Sequence, residues 1–222
     1  LEHYPCAPSC ADAPLGDLLR QWQGLGYPRR ARNLHSAAVV VRDLHGGVVP
    51  DDLAALLTLP GVGPYTARAV LAFAYERDVA VVDTNIARVL ARVVGERLTS
   101  RQAQTIADDL VPLGQGWWWN QALMDVGATR CRPEPHCESC PLSTSCRWHL
   151  DDRPDPDPAV GSAGVSTRQA PFEGSLRQAR GRVLGALVDG PRAVTEFDDV
   201  VVSSLHADGL VAVHPDGSLT LP

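Results

Sequence analysis

The stretch AVVDTNIARVL, residues 80–90, sets an aspartate, Asp83, between the apolar run Ala80-Val81-Val82 and a segment whose apolar residues recur at helical spacing. A carboxylate in such a place is costly unless a hydrogen bond or a counter-charge offsets its burial. An aspartate at a helix start can simply cap that helix. It can also do chemistry, because a fixed carboxylate stabilises positive charge that develops beside it. A second constellation lies further on. Cys131, Cys137, Cys140 and Cys146 follow the spacing C-x5-C-x2-C-x5-C, four thiols within sixteen residues. This density favours a metal site over disulfides. Zinc is one reading, although four-cysteine zinc sites usually pair two C-x2-C knuckles and here there is one. Cys6 and Cys10 fit no such pattern.

All 20 basic residues are arginine, so no side-chain amine is available to form a Schiff base. The same bias towards Ala, Gly, Pro and Arg fits a GC-rich coding sequence.

The elements that must position these residues read as helices. Over 15–150 the pattern predicts helices at LGDLLRQW, RRARNLHSAAVVVRDLHGG (stopping at the Gly pair), PDDLAALLTL, PYTARAVLAFAYE, DTNIARVLARVVG, SRQAQTIADDLVPL and WWWNQALMDVGAT, and no strand. In the fifth, Ile86, Val89, Leu90 and Val93 fall at i, i+3, i+4 and i+7. SRQAQTIADDL is expected to begin on a Ser100 cap. Residues 150–173 are rich in Pro, Asp, Gly and Ser and read as a linker. Residues 174–222 read as a small winged-helix-like α+β module: two helices, then alternating runs joined by HPDG as a hairpin. The expected organisation is a helical domain over 1–130, a cysteine loop over 131–149, the linker and the module.

With 222 residues the chain can build one good-sized core and a small addition. No apolar run approaches a bilayer span, and no secretory leader is evident, so a cytoplasmic, monomeric protein with no membrane partner is expected. The net charge of −6 speaks against a nucleic-acid partner, but its distribution softens that. Residues 1–150 carry 14 Arg against 15 acids, while residues 151–222 carry 6 against 11. Arg20, Arg29, Arg30, Arg32 and Arg42 form a basic cluster, which a solvated helix face would also explain.

LLTLPGVGPYTARAVL places helices on both sides of Pro60-Gly61-Val62-Gly63. The glycines permit positive φ and close backbone approach, and Pro64 suits a first helical turn. The free N–H groups of that turn can receive an anion. With its flanking helices, L-P-G-V-G resembles the helix-hairpin-helix element that grips a DNA phosphate through backbone N–H groups. Together with Asp83 twenty residues later, residues 15–150 resemble the helix-hairpin-helix superfamily of base-excision DNA glycosylases. The cysteine loop resembles the 4Fe–4S loop of the endonuclease III and adenine glycosylase families, whose first gap is usually six residues rather than the five seen here. WQGLGYPRRARNLH, with Pro28 in place of a second tyrosine, and WNQALMDVGATRC resemble the adenine DNA glycosylase (MutY) family. Tyr65 stands where endonuclease III-type enzymes carry a lysine.

That resemblance implies a mainly α helix-hairpin-helix glycosylase fold with a 4Fe–4S cluster on Cys131, Cys137, Cys140 and Cys146. It implies monofunctional hydrolysis of adenine opposite 8-oxoguanine or guanine in double-stranded DNA, after the base is flipped out. Asp83 would stabilise an oxocarbenium-like sugar, Asn85 would orient it, and Tyr65 would lie against the sugar cation. Pro60, Gly61, Val62, Gly63 and Thr66 would touch DNA at the hairpin. Tyr27 would wedge into the base stack beside Arg29 and Arg30. The family's general-acid glutamate, on an early helix, has no counterpart in this chain, so weak DNA binding and poor excision by these 222 residues are expected. The alternatives are an endonuclease III-type glycosylase for a mismatch or an oxidised pyrimidine, or a non-catalytic DNA-binding Fe–S protein.

Overall fold

The computed structural model describes residues 2–162 and 171–222. The first helices are α1 (Ala7–Ala11), α2 (Leu15–Gln21), α3 (Arg29–Leu44) and α4 (Leu53–Leu57). Helix α5 (Pro64–Ala69) runs on into a π-helical turn over Val70–Ala74. There follow α6 (Thr84–Val94), α7 (Ser100–Leu110), α8 (Gly116–Thr129) and α9 (Arg147–Leu150). Then come α10 (Leu176–Ala186), β1 (Arg192–Ala193), α11 (Asp199–Ala207), β2 (Ala212–Val213) and β3 (Ser218–Thr220). The mainly helical class is as expected. Among the described residues no helix is long and apolar enough to cross a membrane.

The chain divides into two compact units. One holds residues 1–50, 58–61 and 169–222, and the other holds 51–57 and 62–168. The first buries Leu18, Leu19 and Ala31 of the early helices together with Val183, Leu184, Leu205, Leu210 and Leu219. The 174–222 segment and the first helices therefore share one core. Gly16 makes this possible at one point: its N–H donates to the Pro222 carbonyl at 2.8 Å, and a Cβ there would lie 2.5 Å from that oxygen.

Within this segment helix, strand, helix and hairpin follow one another, and the antiparallel sheet runs in the order β1-β3-β2. The hairpin predicted at HPDG is the β2–β3 pair, with Ala212 opposite Thr220. Strand β1, drawn from GPRAV, carried no alternating pattern of its own, because two residues are too few to show one.

The second unit packs Ile86, Val89 and Leu90 of α6 against Leu98, Ala103, Ala107 and Leu123. Helix α6 starts on Asp83 and stops at Gly95, whose φ of 81° is the left-handed ending that favours glycine. Helix α7 is capped one residue before the expected Ser100. Thr99 and Gln102 exchange backbone and side-chain bonds in a capping box.

The segment read as a linker is held, over residues 151–162, against the same unit. The Trp148 indole N–H donates to the Pro154 carbonyl at 2.9 Å, Arg97 Nε to the Gly161 carbonyl at 2.7 Å, and the Leu98 amide to Ser162 Oγ at 3.1 Å. The rest of that stretch, 163–170, lies outside the described residues.

Candidate active site

Asp83 is the N-cap of α6. Its Oδ1 accepts the Ile86 amide at 2.7 Å, and its Oδ2 accepts the Asn85 side-chain amide at 3.2 Å. The carboxylate is thus fixed by the helix it opens, with lone pairs left on both oxygens.

The chain approaching Asp83 is itself clamped. Asn120, 1% exposed, accepts the Val81 amide at 2.8 Å and donates to the carbonyls of Val79 and Gly116. The Asp78 carboxylate accepts the amides of Gly114 and Gly116, which hold its pKa below the usual range. Gly116 is required here, since a Cβ would meet the Arg77 carbonyl oxygen at 2.6 Å.

Tyr65, in the first turn of α5, is half exposed. Burial first, and the Asp83 carboxylate second, push its phenol above the ordinary value. Tyr65 is therefore a protonated phenol at neutral pH, near enough to Asp83 to feel its charge. Asn85 carries the contacts onward. Its Oδ1 accepts from Arg88 Nη2 at 2.9 Å, and Arg88 also donates to the carbonyls of Cys131 and Gly127, each at 2.6 Å.

The hairpin residues keep their expected turn. Gly61 has φ 75°, and a Cβ on it would sit 2.5 Å from the Asn33 Cβ. Gly63 differs. Its φ of −95° is open to any residue and nothing lies within 4 Å of its would-be Cβ. The fold does not demand glycine there. Gly63 is also the N-cap of α5 and offers no side chain to its first-turn N–H groups. Thr66 is exposed, and Pro60 and Val62 are half-buried.

Cys131, Cys137, Cys140 and Cys146 line one small cavity with Arg92 and Trp148. Burial pushes the Cys131 thiol up, against the hydrogen bond from Arg92 Nη1 to its Sγ at 3.4 Å. Cys146 is pushed up by burial and by Cys131, Cys137 and Cys140 around it. Four sulfur donors lining one cavity fit a cationic centre that binds thiolates. Among the described residues, no group of three or more His, Cys, Asp or Glu side chains is gathered tightly enough to hold a single metal ion.

Tyr27, Arg29 and Arg30 belong to the other unit. Tyr27 is 58% exposed in the turn before α3 and has φ 49°, a conformation strained for a tyrosine. Arg30 lies 5.7 Å from the Trp22 ring centroid, and Arg29 is paired with Asp208.

Sequence reasoning missed Arg88, Arg92, Asp157 and Asp208. Arg92 is 2% exposed, donates to the carbonyls of Arg132 and Pro133 and to Asp157, and lies 4.8 Å from the Trp148 ring centroid. A signal existed: two arginines four residues apart on the helix that Asp83 opens, among apolar neighbours on both sides.

Residues 44–73 match the family model described as the helix-hairpin-helix motif. The whole chain aligns at 40% identity with the adenine DNA glycosylase of Mycolicibacterium smegmatis, of which it covers 78%. Among solved structures, a thermostable thymine-DNA glycosylase superposes with TM-score 0.63 at 33% identity, over 68% of this chain and 72% of that one. A non-covalent endonuclease III–DNA complex superposes with TM-score 0.60 at 28% identity, over 68% of this chain and 72% of that one.

Proposed function

The chain belongs to the adenine DNA glycosylase family, and from that premise we propose that its reaction is hydrolysis of the N-glycosidic bond of adenine mispaired with 8-oxoguanine or guanine in duplex DNA, slow in these 222 residues because they carry no counterpart of the general-acid glutamate. The observation that carries this reading is the Asp83 carboxylate held at the start of α6 by Ile86 and Asn85, with lone pairs left on both oxygens.

The C1′–N9 bond breaks and its electron pair leaves with the base. The sugar becomes oxocarbenium-like. Asp83 faces that cation and stabilises it electrostatically. The Tyr65 phenol lies against the same face and excludes bulk water. A water oxygen then bonds to C1′ and its proton goes to the departing base, so the step is a hydrolysis. With no lysine in the chain, no covalent imine to the sugar forms through a lysine side chain.

The hairpin Pro60-Gly61-Val62-Gly63 with Thr66 grips a phosphate through backbone N–H groups, which needs no positive net charge. Tyr27 enters the base stack where the adenine is flipped out. Arg29 and Arg30 flank it.

The four cysteines would hold a 4Fe–4S cluster. The four cysteines line one cavity, and their spacing holds one C-x2-C pair rather than the two usual for four-cysteine zinc sites, which supports a cluster. Bound there, the cluster supplies a cross-link that fixes the loop after α8.

Single-turnover excision from duplexes with A opposite 8-oxoguanine or G tests the reading, with G·T and thymine-glycol duplexes as controls. Excision confined to adenine supports it. Release of thymine or of the oxidised pyrimidine in preference to adenine refutes it.

A further inference from the structure

Asp208 closes α11 and its side chain is 10% exposed. It is held from three directions. Arg29 meets it with both ends of the guanidinium, Nε to Oδ2 at 2.6 Å and Nη2 to Oδ1. Arg180 of α10 donates to Oδ2 and to Ser204 Oγ, and Arg32 donates to the Asp208 carbonyl. A fork-to-fork pair fixes direction as well as distance.

Arg29 opens α3 and is two residues from Tyr27. The turn that carries Tyr27 is not one the chain holds unaided. Gly24, Gly26 and Tyr27 all have positive φ, at 86°, 70° and 49°. For tyrosine this conformation persists only where the surroundings over-determine it. Two ties are local: the Trp22 indole N–H donates to the Gly26 carbonyl at 2.9 Å, and the Arg30 amide to the Tyr27 carbonyl at 2.8 Å. Among the described residues, a tie from a distant part of the chain is the Arg29–Asp208 pair.

We propose that Asp208 is a positioning residue for DNA engagement: through Arg29 it holds the Tyr27 turn in its strained form, and the 174–222 segment thereby takes part in inserting Tyr27 into the duplex. The proposal rests on Tyr27 acting as the wedge. It also assigns Arg29 to the turn, with its guanidinium committed to a carboxylate rather than free for phosphate.

The test is a double-mutant cycle on the full chain. A duplex carrying 2-aminopurine next to the A·8-oxoguanine pair reports binding and unstacking together. Asp208→Asn should weaken binding about tenfold and cut the fluorescence rise, as Tyr27→Ala does, and the pair together should lose no more than about threefold beyond Tyr27→Ala alone. Asp208→Glu, which keeps the charge, should recover part of the loss, whereas a merely structural role would not tie that recovery to the presence of Tyr27. Asp208→Asn binding as the parent does, or a loss that multiplies in full with that of Tyr27→Ala, overturns the proposal and leaves the wedge standing. Tyr27→Ala binding as the parent does overturns the wedge itself, and the proposal with it. Near-ultraviolet circular dichroism establishes that each variant is folded. If Asp208→Asn is not, Arg29→Gln cuts the same pair from its exposed end, and its cycle with Tyr27→Ala decides the matter by the same criteria.

Discussion

Asn85 packs so closely on Gly127 that a Cβ built on the glycine would lie 2.6 Å from the asparagine Cβ. Only a bare backbone on α8 lets α6 come this near, and the Asn85 side chain is one of the two donors to the Asp83 carboxylate, with the Ile86 amide. Gly127→Ala must therefore push the start of α6 away. Overpacking of this kind costs about 1–3 kcal/mol, read as a lower denaturation midpoint. Excision should fall by more than DNA affinity does, because a displacement near 1 Å at the reacting centre costs on the order of a hundredfold in rate. Equal loss in both would show that the contact serves stability alone.

Asp83→Asn keeps the shape and the cap of α6 but removes the charge. Excision should drop by about a hundredfold to a thousandfold in single turnover, the range for losing one electrostatic stabiliser. Affinity for a duplex should stay within a few-fold of the parent, because the hairpin proposed to grip phosphate is untouched. Substantial turnover by this variant would remove Asp83 from the reaction.

Features that set local structure by residue type were legible in the sequence. Asp83 after an apolar run, Gly61 at a positive-φ turn and four closely spaced cysteines each announce a local requirement. What escaped depends on partners far along the chain. Arg88 and Arg92 look like solvated charges on a helix until the carbonyls of Gly127, Cys131, Arg132 and Pro133 are seen to need donors. Residues 151–162 read as a linker from their Pro, Asp and Gly content, yet their backbone carbonyls and Asp157 meet Arg97, Trp148 and Arg92. Composition reports a lack of regular structure, and it says nothing about what irregular backbone binds to. The core shared by α2, α3 and α10 is likewise invisible to any local window.

Asp157 gives this strap a pH dependence. Burial raises its pKa, but the hydrogen bonds from Arg92 and from the Ala159 amide outweigh that, and the net shift is downward. A carboxyl whose folded pKa lies below its unfolded value of about 4 contributes stability that is fully present above that pH and is lost as pH falls through the folded pKa. Asp157→Asn should therefore be less stable than the parent at neutral pH, and the gap should narrow below about pH 4. Urea titrations of both proteins across that range measure it. A gap independent of pH would mean that the Arg92 pair contributes nothing through its charge.

Arg92 carries the heaviest load in the cysteine loop. Its guanidinium donates to two carbonyls, to the Cys131 sulfur at 3.4 Å and to Asp157 at 2.6 Å, and its plane covers Trp148. Arg92→Met fills a similar volume but leaves the carboxylate and both carbonyls without their donor. Breaking a buried pair from one side costs about 3–5 kcal/mol, because the remaining charge is uncompensated. Adding Asp157→Asn removes that charge and should return part of the loss, so the two substitutions together should cost less than the sum of each alone. The denaturation midpoint reads the stability. The ratio of iron to protein after anaerobic purification reads the loop, and it should fall in Arg92→Met because Cys131 and its flanking backbone lose their support. Unchanged stability and unchanged iron would mean that the cysteines and the proposed cluster hold the loop without Arg92.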